Sequence, residues 1–207
     1  MKVVILAGGL GTRISDHSDL PKPMISINGI PIIAHILKIF INQGFNEFII
    51  AVGYKGNIIK KYFEKNFLQN NIQVVDTGLK TLTGNRLKKL KGFLPEENFM
   101  LTYGDGLCNV DLKKLSKFHL NHQKLVTVTA VHPPARFGEL VLKKSNVINF
   151  EEKPQLQKGW INGGFFVFKK EFLDLIPKKQ VMLEREPLKI VVKKKQFMAF
   201  KHKYFWH

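Results

Sequence analysis

Val3-Val4-Ile5-Leu6-Ala7-Gly8-Gly9-Leu10-Gly11-Thr12-Arg13 is the stretch whose reading decides the fold. The unbroken apolar run over residues 3–7 predicts a strand buried on both faces, as in a parallel sheet. It discharges into Gly8, Gly9 and Gly11, where backbone amides can approach a ligand without interference from a Cβ. Arg13 sets a fork-shaped, permanent cation beside that loop, suited to phosphate oxygens. Downstream, Leu20-Pro21-Lys22-Pro23-Met24 braces a lysine between two prolines. The loop lacks the G-x-G-x-x-G pattern of dinucleotide folds, and no Gly-Lys-Ser or Gly-Lys-Thr follows it. The glycines alone suit an ordinary strand-to-helix turn equally well. Arg13 and Lys22 tip the reading to a polyphosphate site.

Composition bounds what surrounds that site. With 207 residues and 44% hydrophobic content, the chain suits a single domain over 1–207 with a substantial core. No segment is apolar over a membrane-spanning length, and the N-terminus has no signal-peptide pattern, so a cytoplasmic location is expected. Cys108 is the sole cysteine, which excludes an internal disulfide or a cysteine-based zinc cluster. The formal charge is +17, but the lysines are scattered in pairs such as Lys60-Lys61 and Lys113-Lys114 rather than gathered in a stripe. That pattern argues for a solvated surface that attracts small anionic substrates rather than for a nucleic-acid partner.

Beyond the loop, apolar spacing predicts helices over 31–40 and 58–67, strands over 47–52 and 72–75, and hence right-handed strand–helix–strand crossovers. His35, inside the first of these helices, reads as a packed residue rather than a catalyst. A lysine-rich helix is expected over 86–92, capped by Thr83 or Asn85. The strand at 98–103 opens into Gly104-Asp105-Gly106, either an ordinary Asp-Gly turn or an aspartate placed for a magnesium–phosphate complex. A helix follows over 111–122, then a strand over 125–131. Residues 139–142 and 147–150 read as antiparallel strands. Trp160 to Phe168 forms a second glycine-to-strand unit, a helix begins at Glu171, and a last short strand covers 197–200. The sum is a mixed sheet with a parallel N-terminal half and inserted antiparallel strands.

Several motifs then coincide. Residues 6–13 followed by Pro21-Lys22-Pro23-Met24 resemble the signature of the sugar-phosphate nucleotidyltransferases. Asp76-Thr77-Gly78, Thr83-Gly84-Asn85-Arg86, Thr102-Tyr103-Gly104-Asp105-Gly106, Pro133-Pro134-Ala135-Arg136-Phe137-Gly138, Glu152-Lys153-Pro154, Ile161-Asn162-Gly163-Gly164 and Glu186-Pro187-Leu188 resemble that family's cytidylyltransferase branch. The resemblance runs through nearly the whole chain. It implies a Rossmann-like, three-layer αβα fold with a mixed, mostly parallel central sheet and a small antiparallel insertion. It implies CMP transfer from CTP to a sugar 1-phosphate, with glucose 1-phosphate favoured and Mg²⁺ required, in nucleotide-sugar biosynthesis that supplies cell-surface polysaccharide. Leu6, Ala7, Gly8, Gly9, Gly11, Thr12 and Arg13 would cradle the triphosphate, which Lys22 would neutralise. Thr83, Gly84 and Arg86 would sit at the cytidine, with Tyr103 and Gly104 beside it. Asp105 would bind the metal. Arg136, Glu152, Lys153, Asn162 and Gly163 would hold the acceptor, Lys153 taking its phosphate. A different phosphorylated acceptor such as phosphoglutamine, or a weakly catalytic nucleotide-binding homologue, remain the alternatives. Family members usually carry a longer stretch before the strand at 72–75 that contributes to oligomer contacts, where this chain has only Phe67-Leu68-Gln69-Asn70-Asn71, and they carry a second metal-binding aspartate in a segment after the Phe-Trp seen here as Phe205-Trp206. A homo-oligomer is one expectation that the resemblance carries and the short stretch leaves open, and the chain reads as either naturally short or truncated after His207.

Overall fold

The computed structural model of the protein describes residues 1–9, 20–133, 139–151 and 159–207. In chain order the elements are β1 (Lys2–Leu6), a 3₁₀ turn (Lys22–Met24), the short pair β2 (Ser26–Ile27) and β3 (Ile30–Pro31), α1 (Ile32–Ile41), β4 (Glu47–Val52), α2 (Gly56–Asn66) and β5 (Asn71–Asp76). Then come α3 (Thr83–Lys89), a second 3₁₀ turn (Lys91–Phe93), β6 (Asn98–Tyr103), α4 (Leu112–His122), β7 (Val126–Val131), β8 (Glu139–Lys143) and β9 (Asn146–Glu151). The chain finishes with β10 (Ile161–Lys169), a third 3₁₀ segment (Lys170–Leu175), α5 (Glu186–Lys193) and β11 (Phe197–Lys201).

The run at Val3–Leu6 lies at the heart of a seven-stranded sheet ordered β11-β7-β10-β6-β1-β4-β5. β1 pairs in parallel with both β4 and β6, and only β10 runs against its neighbours, β6 and β7. β8 and β9 form a separate antiparallel hairpin. The mixed, mostly parallel sheet with a small antiparallel insertion is the architecture expected.

Period-two alternation of the buried strands builds two cores. Val3, Ile5, Phe48 and Ile50 face one layer, where they meet Ile36 and Phe40 of α1, Phe63 of α2 and Leu115 of α4. Val4, Leu6, Ile49 and Leu101 face the other, against Leu87 of α3, Phe172 of the third 3₁₀ segment and Val191 of α5. Each strand residue from Val3 to Ile5 is fully buried, which is why the sequence there shows no polar alternation.

Two expectations need correction. Thr83 and Asn85 do not cap α3: the helix begins at Thr83, with Leu82 as an N-cap that supplies no side-chain bond. Both side chains are drawn off by tertiary partners instead. Asn85 Oδ1 accepts from Val181 N at 2.6 Å and Thr83 Oγ1 accepts from Leu183 N at 2.8 Å. The helix expected from Glu171 is a 3₁₀ segment, while α5 was not foreseen, because its apolar Leu188 and Val191 are spaced among lysines. His35 holds Ile27 O at 3.1 Å from Nε2 and serves the fold, as expected.

Candidate active site

The carboxyl ends of β1 and β6 open onto a cleft of about 780 Å³. From β1 the chain passes to β4 on one side and returns after β5 to β6 on the other, and ligands of parallel α/β sheets bind at such a reversal of strand order. It is lined by Leu6, Ala7, Gly8 and Gly9, by residues 79–83, by Lys22, Tyr103, Gly104, Asp105 and Asn162, and by Met182 and Glu184. Gly104 is pressed against β1: its N–H donates to Leu6 O at 2.9 Å, and a Cβ there would stand 3.1 Å from Pro23 Cγ.

The lysine and aspartate, 83 positions apart, meet here. Lys22 Nζ lies 2.5 Å from Asp105 Oδ2, with each side chain roughly a third exposed. Pro21 and Pro23 hold Lys22 at the start of its 3₁₀ turn, where Met24 N donates to Pro21 O at 2.7 Å. Gly104 and Gly106 let Asp105 leave β6 sharply. A cation and a carboxylate side by side, next to glycine amides, can take up a metal–triphosphate by exchanging their mutual contact for ligand charges.

Arg86 lines the cleft from a buried position. It is 3% exposed, and its guanidinium donates to Val52 O at 2.7 Å, Gly8 O at 2.9 Å, Thr81 O at 2.9 Å and Thr77 Oγ1. Burial lowers its pKa, with the Asp76 charge opposing that effect. It touches the cleft from beneath Gly8, where a Cβ would fall 2.1 Å from Arg86 Nη1. Its donors are committed to the ends of β1 and β4 and to the 77–81 loop.

Glu184 was not singled out by sequence, yet it lies in the cleft wall. Its carboxylate accepts from the Tyr103 hydroxyl at Oε1 and from Thr83 Oγ1, 2.9 Å away, at Oε2. Burial, followed by the Glu184 charge, raises the Tyr103 pKa far above the usual phenol value, so its proton stays on. The sequence signal was a carboxylate two positions before the quoted Glu186-Pro187; nothing local distinguished it from a surface residue.

Of the residues predicted for the site, Leu6, Ala7, Gly8, Gly9, Lys22, Thr83, Arg86, Tyr103, Gly104, Asp105 and Asn162 converge on the cleft. Gly84 and Gly163 face away from it. A Cβ on Gly84 would meet Val181 O at 2.8 Å, and one on Gly163 would meet Thr129 O at 2.8 Å. Both serve close packing, and Gly163 O also accepts from Trp206 Nε1 at 2.8 Å. Gly11, Thr12, Arg13, Arg136, Glu152 and Lys153 lie outside the described residues. Among the described residues, no three His, Cys, Asp or Glu side chains gather as a metal cluster, and no helix is long and apolar enough to cross a membrane.

Known proteins resemble this chain over its whole length. The nucleotidyl transferase family profile matches residues 2–206. Glucose-1-phosphate cytidylyltransferase of Salmonella typhimurium is 41% identical over an alignment that takes in all of this chain and 90% of that protein. A probable glucose-1-phosphate cytidylyltransferase of Bacillus subtilis is 38% identical, again with all of this chain and 90% of the relative covered. Among solved structures, HddC from Yersinia pseudotuberculosis superposes with a TM-score of 0.77 at 28% identity, covering 99% of this chain and 92% of that one.

Proposed function

Because the chain belongs to the nucleotidyl transferase family, we propose that it transfers CMP from CTP to a sugar 1-phosphate, glucose 1-phosphate being the acceptor, and releases pyrophosphate. Full-length relatives bearing that activity in their names support the reading. The observation that carries it is the meeting of Lys22 and Asp105 beside Gly8 and Gly9 in one cleft. An acceptor phosphate oxygen attacks the α-phosphorus of CTP, the new P–O bond forms, and the bond to the β-phosphate breaks. The nucleophile is already anionic, so no general base is needed; positioning and charge neutralisation carry the rate.

In this reading Gly8 and Gly9, with Gly11, Thr12 and Arg13, hold the triphosphate, Lys22 neutralises it, and Glu152, Lys153 and Arg136 take the acceptor. Mg²⁺ fits the donor set at Asp105, since that hard cation accepts one carboxylate oxygen and completes its shell with waters and substrate phosphates. When bound it would neutralise the triphosphate. A cytoplasmic enzyme making a CDP-sugar for surface polysaccharide is the setting this chemistry suits.

Pyrophosphate release, measured with CTP, UTP, dTTP, ATP and GTP against a panel of sugar 1-phosphates and phosphoglutamine, tests the reading. CTP with glucose 1-phosphate should lead, because a base pocket that leaves a polar group unpaired costs several kcal/mol. Some relatives are named as guanylyltransferases, so equal or faster turnover of GTP would overturn the choice of base. Arg13→Ala should slow turnover on the order of a hundredfold, as loss of a charge contact to the transition state does.

A further inference from the structure

We infer that Trp206 is a positioning residue for the cleft: its indole N–H fixes the bulge that aims Asn162, and its backbone lies against the turn that carries Asp105. The role rests on the cytidylyl-transfer reading above, and it falls to a residue that does not itself line the cleft.

In β10, Asn162 pairs with Ala130 of β7 and Phe166 with Val128, so residues 163–165 stand opposite Thr129 alone. Such an excess breaks the ladder, and a break beside a site re-aims the neighbouring side chain. Gly164 takes a φ of +84° there, which glycine adopts without strain. Asn162 closes the bulge: its Oδ1 accepts from Gly164 N at 2.9 Å, and its side chain also bonds the Tyr103 hydroxyl. Asn162 and Tyr103 both line the cleft. The direction of Asn162 therefore depends on how the backbone at 163–164 is held. A buried carbonyl needs a donor, and at Gly163 O that donor is Trp206 Nε1, 2.8 Å away.

The same residue is tied to the aspartate turn. Trp206 bridges antiparallel to Cys108, Leu107 and His207 exchange N–H and C=O at 2.8 and 2.9 Å, and Asn109 N donates to Phe205 O at 3.2 Å. His202 anchors the near end of this strap, its N–H donating to Ala130 O at 2.8 Å while Nε2 lies 3.0 Å from Asn109 Oδ1. Leu107 follows Asp105 by two positions, and Gly163 follows Asn162 by one. The ladder between β6 and β10 ends at Leu101 and Phe166, short of both Asp105 and Asn162. Beyond that point Trp206 joins the two segments. Groups that must meet substrate together are set by the packing behind them.

Two substitutions separate the donor from the bulk of the indole. Trp206→Phe keeps an aromatic ring and loses the N–H. Trp206→His loses the benzene ring and keeps a five-membered ring that carries an N–H, in a side chain that is neutral at about pH 8. Initial rates with Mg²⁺, CTP and glucose 1-phosphate are measured at that pH beside thermal melting. Trp206→Phe should lower kcat on the order of tenfold or more, because small misplacements of reacting groups are costly. Its KM for CTP should hold, since Gly8 and Gly9 lie outside the strap. Trp206→His should recover most of kcat while melting at a lower temperature. Phe205→Ala, an exposed neighbour whose backbone bond survives, should change neither. An unchanged kcat in Trp206→Phe would overturn the inference, as would a Trp206→Phe that does not fold. Rates that follow melting temperature, with Trp206→His slower than Trp206→Phe, would make Trp206 a packing residue and overturn it too. A wild type that uses another nucleotide or acceptor would overturn only the choice of substrates, and the same comparison is then made with that pair. A wild type inert with every pair would overturn the transfer reading and this inference with it.

Discussion

Arg86 keeps a full charge at 3% exposure by giving its fork to three carbonyls and a hydroxyl. A lysine at that position is a single ammonium that cannot reach acceptors spread over β1, β4 and the 77–81 loop. Arg86→Lys should therefore lower stability by about 2–4 kcal/mol, since each buried carbonyl left unpaired is costly, and weaken catalysis through a loosened Gly8. Denaturant unfolding and CTP kinetics check this together. Wild-type stability with only a raised CTP KM would mean that the arginine reads the base after all. Asp105→Asn makes the opposite demand: its pair with Lys22 is part-exposed, so stability should barely change, while Mg²⁺ binding in the presence of CTP, followed by calorimetry, should vanish along with turnover. Asp111→Asn should be nearly silent in both assays, because Asp111 is the N-cap of α4, 2.8 Å from Lys114 N, and asparagine caps as well. Lys22 and Asp105 were legible in the sequence because prolines and glycines mark them. Glu184 and the structural use of Arg86 were not, because their partners lie between 5 and 101 positions away and no local pattern encodes those meetings.

α4 is fastened to the sheet by a polar lock. Lys124 N donates to His122 Nδ1 at 2.9 Å, so His122 is neutral and donates from Nε2 to Thr127 Oγ1 at 2.7 Å. Thr127 can then donate to His119 Nδ1, also at 2.7 Å, and His119 Nε2 donates to Asn98 Oδ1 at 3.2 Å. Burial, with His122 and Lys169 adding to it, pushes His119 down to about 4. The unfolded chain takes up a proton near 6.5 while the folded one refuses it, so the unfolded state binds more protons between those values and stability falls as pH drops from about 6.5 to 4. The slope from this one group is at most about 1.4 kcal/mol per pH unit, roughly 3 kcal/mol in all. Urea midpoints at pH 7 and pH 5 should differ for the wild type and differ less for His119→Gln; equal midpoints in the wild type would show that the lock does not exclude the proton. At this scale the strands were the most readable elements. β4 and β6 match their expected bounds because uninterrupted apolar runs leave no other solution. The start of α3 and the whole of α5 escaped, since tertiary bonds replaced the expected cap in one case and lysines obscured the apolar stripe in the other.

Taken whole, the molecule carries 33 lysines and arginines against 16 acidic residues, a formal +17. Exposed ion pairs such as Lys60–Glu64 and Lys114–Asp111 leave that net charge unchanged, and along the sequence the lysines recur in scattered pairs such as Lys60-Lys61 and Lys113-Lys114. A surplus of that size makes a positive field, and the proposed substrates are small polyanions. The field should therefore act on encounter rather than on chemistry. With magnesium fixed in excess, raising sodium chloride from about 20 mM to about 200 mM contracts the Debye length from about 20 Å to below 8 Å. Across that range kcat/KM for CTP should fall on the order of tenfold, as steered association does, while kcat at saturation stays nearly constant. Binding to duplex DNA should be weak at low salt and lost near physiological ionic strength, as expected for contacts to phosphates alone. Steady-state kinetics across the salt series, with potassium glutamate replacing chloride as a control for anion competition in the cleft, decides the point. A salt-independent kcat/KM, or a kcat that falls in step with it, would place the surplus charge outside the encounter and leave Lys22 and its neighbours as the sole electrostatic source of nucleotide binding.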